Sequence, residues 1–398
     1  MPPIIEEDIV EMAEVMLSVN TQSSKDKRKR AASLPVVIAM LVVALTGCGE
    51  FFIPPTSGGG STGNNRVYVA NSTTSSLSGF TIGTGTLSAV TGSPLSLGYP
   101  PVAAVVTPNN NFIYVAGPGA IYVYTINSDG SLTASSSGAA VAVANVVSLD
   151  VSPDGQWLFG LDNTQTVLDE YQINSSTGAL STIAPIPYSV SSGTVVPKAV
   201  KVSPAGNLIF IALGTAGEVA FTLNTSTGAV AQSVTLSPVT STTSDNALAI
   251  SSNSAYLYIA RSGTGGGVGV YTIGSAGALN QITGSPYSAG IQPISVVLDT
   301  TGKYVYVANG SDNTISGYSI GTNSALTALS GSPYASGTQV NSLGVDKSGT
   351  YLLAGANGGT PDLSMYTFDA TTLGKLNLKT STASGTDPAG VTAIALTH

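Results

Sequence analysis

The sequence predicts an all-β protein, a seven-bladed β-propeller of four-stranded antiparallel blades whose first blade is closed by the C-terminal strand. Three observations carry that prediction. A strand motif recurs seven times, a fixed series of strand and turn signals surrounds each recurrence, and the last segment supplies what the first repeat lacks. The motif reads RVYVA at 66–70, FIYVA at 112–116, WLFGL at 157–161, LIFIA at 208–212, YLYIA at 256–260, YVYVA at 304–308 and YLLAG at 351–355. Its central residues, from Tyr68 to Leu353, stand 46, 45, 51, 48, 48 and 47 residues apart. A repeat of about 40–50 residues built from short strands is the period of a propeller blade.

Within each repeat the elements follow in order. The motif strand comes first in the chain, and a second strand carries an aromatic at Phe80, Tyr124, Tyr171, Phe221, Tyr271, Tyr318 and Tyr366. Turns such as SSTGAL (175–180) and TSTGAV (225–230) lead into an outer strand. From the second repeat onward an innermost strand precedes the motif, as in AAVVTP (103–108), SLDVSP (148–153) and AVKVSP (199–204). These runs are rich in β-branched and aromatic residues and bounded by Gly, Pro, Asn and Asp, which is how strands and their turns are recognised. The first repeat has no innermost strand of its own. The segment 388–397 has that strand's pattern, so it completes the first blade and closes the ring, leaving only short protected edges.

Residues ahead of 66 form two other regions. Residues 1–47 read as an upstream extension followed by a signal peptide: a basic cluster at 25–30, an apolar run at 34–45, then a small-residue cleavage site. Twelve apolar residues rise only about 18 Å as a helix, short of a bilayer core of about 30 Å. The ending LTGC (45–48) resembles the lipobox of bacterial lipoproteins, which implies a lipidated Cys48 and anchoring to a membrane. Export to the cell envelope follows, at the outer membrane or facing the periplasm. The acidic stretch at 6–14 is foreign to such a signal and places the natural start at Met12 or Met16. Residues 48–65 are a flexible tether and 66–398 the propeller.

Composition excludes several classes of function. With 13 Lys and Arg against 21 Asp and Glu, the chain lacks the positive charge that captures nucleic acid. One Cys and one His leave no intrachain disulfide and no zinc cluster, so no metal or cofactor is expected. A closed ring offers no sheet edge for pairing, and a monomer is expected.

The strand YVYVAN (304–309), the turn SPDG (152–155) and the turns GSPY (284–287 and 331–334) resemble those of the seven-bladed lactonase/YVTN propeller family. The resemblance spans residues 66–398 and includes propeller-type 6-phosphogluconolactonases. It implies the same fold and, in lactonase members, a His after a Pro at the start of innermost strands. The equivalent pairs here are Pro101-Val102, Val146-Val147, Pro197-Lys198, Asn246-Ala247, Pro293-Ile294, Val340-Asn341 and Pro388-Ala389, and His398 is the only imidazole in the chain. The leading expectation is therefore a lipid-anchored module that binds a protein or carbohydrate partner. The alternative is a lactone hydrolase that uses carboxylate and Lys/Arg groups.

The site residues expected on that alternative come from two neighbouring blades. Glu218 and Asp245 are the candidate catalytic carboxylates, and Lys198 and Arg261 the candidate ligands for an anion. The competing reading is loop charges that keep an apolar protein in solution. Tyr99, Tyr287 and Tyr334, in the connections between blades, are expected either to form an aromatic rim that stacks on sugar rings or to cover neighbouring blades. The glycine-rich segment 263–269 joins two strands, so it reads as a hairpin; a phosphate loop would open a helix.

Overall fold

The structure is a computed structural model that describes residues 65–238 and 240–398. The residues read above as a signal peptide, a lipidated Cys48 and a tether, up to residue 64, lie outside the described residues. Seven antiparallel sheets account for the rest. Blade 1 joins Val391–Leu396 to Arg66–Asn71, Ser76–Ile82 and Leu87–Ala89, from the inside outward. The strand–turn series then gives six further blades, whose inner strands are Ala103–Val106, Val146–Val151, Ala199–Val202, Ser244–Ile250, Pro293–Leu298 and Val340–Val345. Neighbouring inner strands touch around the whole circle, blade 7 meeting blade 1.

Closure is as the repeat pattern predicts. Val67 stands opposite Leu396 and Val69 opposite Ile394, while the Arg66 N–H donates to Thr397 Oγ1 at 2.9 Å. One detail of register differs from the sequence expectation. In blade 5 it is Asp245 that stands opposite Arg261, and in blade 1 Val391 that stands opposite Asn71. A bulge follows each of them, so the strand starts fall at Asp245-Asn246 and Val391-Thr392. Local pattern cannot locate such an extra residue.

Two features explain why the blades stack as they do. The motif tyrosine of one blade reaches the next: Tyr68, Tyr114 and Tyr306 donate to the carbonyls of Gly130, Gly178 and Gly374 at 2.9, 2.9 and 2.6 Å. A side chain on Gly178 would run into Phe112 and Val123, and its φ of +71° disfavours any other residue. The free edge of each inner strand faces the channel and needs partners. Neighbouring blades supply them: Val200, Leu343 and Ile394 N–H groups donate to Ser148, Ser295 and Ser342 Oγ, each at 3.1 Å, and Val202 N–H to Asp150 at 2.8 Å. Between blades the core is apolar. One cluster, for example, brings Phe159, Leu161 and Leu168 of blade 3 against Ile209, Ile211 and Phe221 of blade 4.

Candidate functional site

The starts of the inner strands and the loops from each second strand to its third share one face of the disc. Three of the expected site residues meet there, at the boundary of blades 4 and 5. Glu218 opens the third strand of blade 4, Asp245 lies at the start of the inner strand of blade 5, and Arg261 is its partner on the second strand. The Arg261 guanidinium grips both oxygens of Asp245, through Nε to Oδ1 and through Nη2 to Oδ2 at 3.0 Å. Its Nη1 donates to the Tyr271 hydroxyl at 3.2 Å, and Glu218 Oε1 stands 4.0 Å from Nη2.

All three side chains are 0% exposed. The two strands hold Asp245 and Arg261 in register, and the backbones of Gly214 and Asp245 exchange hydrogen bonds of 3.2 and 3.1 Å above them. Burial pushes the Glu218 carboxyl well above the carboxylate range, the charge of Asp245 adds to it, and Arg261 only partly opposes them. For Arg261 burial acts downward, but Asp245 and Glu218 outweigh it and hold the guanidinium above its ordinary value. Neither Glu218 oxygen has a hydrogen-bond partner of ordinary geometry. Chemically this is a sealed group: an ion pair of Arg261 and Asp245 beside a carboxyl whose ionisation burial and Asp245 both oppose. The sequence reading set these residues in exposed loops, whereas they are strand residues facing the seam between blades. Lys198, the fourth member expected there, is exposed and makes no hydrogen bond or ion pair with the other three.

The three tyrosines stand at three different boundaries and form no common rim. Tyr99 stacks on Tyr122 with ring centroids 4.0 Å apart, and its hydroxyl meets that of Tyr124 at 3.1 Å. Tyr287 bridges to Val268 beside the apolar cluster of blades 5 and 6. Tyr334 belongs to a two-residue strand against blade 6 and is buried in the cluster with Tyr306 and Leu352. His398 follows the end of an inner strand and so sits at the opposite face, its Nε2 3.2 Å from the carbonyl of Val106.

An open cleft lies elsewhere on that face, between blades 6 and 7. A cleft of about 530 Å³ is lined by the side chains of Gln292, Asn313, Gln339, Asn341 and Asn357, with Ser311 at its edge and no charged residue. Gln292 and Gln339 each precede the inner strand of their blade with φ of +60° and +55°. Blade 1 uses Gly390, at +71°, in the corresponding place. Holding a long side chain in that region costs about 1–2 kcal/mol, so the strain marks a position under constraint. Ser311 Oγ donates to Gln292 Oε1 at 2.7 Å, which leaves the amide –NH₂ end for another partner. Asn341 and Asn357 both donate to the carbonyl of Val391, at 2.6 and 3.1 Å, and Asn341 Oδ1 is buried with no partner. Sequence reasoning missed this cleft. The available signal was the repetition of Gln just before two consecutive inner strands.

Carboxyl groups with altered acidity lie in blade 3. Asp162 accepts from the Thr164 and Gln165 N–H groups, both at 2.6 Å. Burial, and then the charge of Asp162, raises Asp169 to about 6, while burial raises Glu170 to about 7. Among the described residues no three His, Cys, Asp or Glu side chains are grouped to hold a metal ion.

Comparison with known proteins matches the chain to the family model described as "Lactonase, 7-bladed beta-propeller" over residues 60–341 and 219–389. No curated protein matches the sequence. Among solved structures it is similar to a candidate 6-phosphogluconolactonase from Bacteroides uniformis, with TM-score 0.69 and 16% identity, covering 83% of this chain and 99% of that one. It is also similar to the periplasmic gluconolactonase of Pseudomonas aeruginosa, with TM-score 0.64 and 14% identity over 84% and 99% of the two chains. At such identities the likeness is one of fold.

Proposed function

The chain belongs to the lactonase family of seven-bladed β-propellers, and from that premise we propose that it opens a neutral, sugar-derived lactone in the cleft between blades 6 and 7. The observation that carries this reading is the lining of that cleft, in which five carboxamide residues stand with Ile294, Gly310, Ser311 and Thr338 and no charged residue. Such a lining offers donors and acceptors to a hydroxyl-rich neutral molecule and nothing to balance a phosphate. An export signal read at residues 34–48 supports the same choice, because it favours a free sugar lactone over a phosphorylated intracellular one.

In the proposed reaction the –NH₂ groups of Gln292 and Gln339 donate to the ester carbonyl oxygen and stabilise the negative charge that develops on it. The other carboxamides of the lining, Asn313 and Asn357, offer acceptors and donors to the attacking water and to the sugar hydroxyls. The water oxygen bonds to the carbonyl carbon and gives up a proton to solvent, the ring C–O bond breaks, and the departing ring oxygen takes up a proton from solvent as a hydroxyl. The product is the open hydroxy acid. We place this chemistry in the cleft and not at Glu218 and Asp245, because those carboxylates expose no atom to a substrate.

A carboxamide does not take up a proton near neutrality, so the rate is expected to climb steadily with pH and show no bell. The test is ring opening of δ-gluconolactone, followed by pH-stat titration against the spontaneous rate. Gln339→Ala is expected to lower kcat about 100-fold, the scale of losing one oxyanion donor. A rate equal to the spontaneous one, or one unmoved by Gln339→Ala, overturns the proposal. The absence of any titratable side chain from the lining favours a second reading, in which the same cleft retains a sugar without turning it over. Calorimetric binding without acid release is its mark.

A further inference from the structure

The carboxamide cleft does not end at the mouth of the channel. A second cleft, of about 300 Å³, runs outward along blade 7 and shares Thr338 with the first. Its lining includes the hydroxyls of Ser336, Thr360, Ser364 and Ser381, the exposed Leu378, and again no charged residue. The connection from blade 6 to blade 7, residues 336–339, is the wall common to both. It is held on the blade 6 side by Asn313, whose carbonyl accepts from Ser336 N–H at 2.9 Å and whose Oδ1 accepts from Gln339 N–H at 2.7 Å. On the blade 7 side the Tyr366 hydroxyl donates to Ala335 O at 2.9 Å.

From these observations we infer that the two clefts are one radial groove, and that its ligand is a neutral oligosaccharide chain several rings long. The inference rests on the reading above for the inner end, where the lactone-bearing ring sits, and extends it to the substrate class. Both halves are lined by neutral polar residues, carboxamides at the inner end and Ser and Thr at the outer. A ligand presenting hydroxyls along its length would satisfy both. Leu378, 61% exposed on an outer strand, offers an apolar surface to the C–H face of a sugar. A peptide fits less well, because its affinity would need apolar side-chain pockets, and Leu378 is the one large apolar side chain exposed along the groove.

The experiment measures kcat/KM for gluconolactone and for the lactones of di- and trisaccharide aldonic acids. Each added sugar is expected to raise kcat/KM about five- to tenfold, the worth of about one net hydrogen bond, until the groove is filled. Leu378→Glu and Ser381→Trp, both in the outer half, are expected to remove that gain while leaving gluconolactone kinetics unchanged. Calorimetry with the unoxidised trisaccharide separates the two proposals. Trisaccharide binding lost in Ser381→Trp, with no turnover of any lactone, supports the groove and refutes the hydrolysis. Equal kcat/KM for all chain lengths, trisaccharide binding unmoved by Ser381→Trp, or binding of peptides in its place overturns the groove.

Discussion

The boundaries between blades 4 and 5 and between blades 6 and 7 are built from the same parts, the start of an inner strand and the loop that follows a second strand. They end in opposite states. At the first, Gly214 and Asp245 join backbone to backbone, the walls close, and the charges beneath are left with only one another. At the second, the corresponding link runs through a side chain, Asn313 Oδ1 to Gln339 N–H at 2.7 Å. That holds the walls a side chain apart and leaves a cleft. The difference teaches that, at these two boundaries, charge is buried inside the ring while neutral polar groups line the open cleft. A buried ion pair contributes little net stability against a well-packed apolar seam, but removing one partner is costly.

That contrast can be broken most directly at Arg261. Arg261→Met leaves Asp245 buried without its partner, and the expected loss is about 3–5 kcal/mol, measured as a fall in the midpoint of urea unfolding. If Arg261 instead served an outside anion, the midpoint would hardly move and added phosphate would raise it in the wild type alone. Glu218 sharpens the same comparison through pH. Its folded-state pKa lies well above the unfolded value of 4.5, so its contribution to stability is fully present below 4.5 and is lost as pH rises through the folded pKa. Glu218→Gln keeps a donor toward Asp245 and cannot ionise. The variant is expected to match the wild type near pH 4 and to exceed it by a margin that grows as pH rises toward 8. Thermal melts across pH 4–9 that stay parallel would contradict a protonated Glu218.

Periodicity made the fold legible. Seven recurrences of one strand, and a closing strand displaced to the far end of the chain, leave few architectures open, and the motif tyrosines that bind the next blade's glycines lie within that repeat. The site was legible only in part. Glu218, Asp245 and Arg261 stand out because charge is scarce, and two of them fall in register on paired strands. Their sealing did not show, since it depends on a bridge from Gly214, a residue of the previous blade. Tyr99, Tyr287 and Tyr334 share a place in the repeat, and the circle sets such places apart. The carboxamides of the cleft were hidden for a different reason. Asn and Gln are the ordinary residues of polar loops, and these come from two blades, so nothing local distinguishes Gln339 from any other loop amide.

Gln339 nevertheless yields the smallest and most discriminating prediction. Its φ of +55° belongs to glycine, and blade 1 has Gly390 at the matching place. Gln339→Gly relieves a left-handed conformation worth about 1–2 kcal/mol and returns part of that gain as unfolded-chain entropy, about 0.5–1 kcal/mol. The variant is therefore expected to be more stable by about 0.5–1 kcal/mol, read from the urea midpoint, while losing lactone turnover with the side-chain amide. A residue kept for structure would behave in the opposite way, its replacement lowering stability and sparing turnover. Gln292→Gly, one blade away at +60°, is expected to repeat the gain. If both glycine variants are less stable than the parent, the strain is not held in reserve for a ligand. The open boundary would then be merely a seam that did not close.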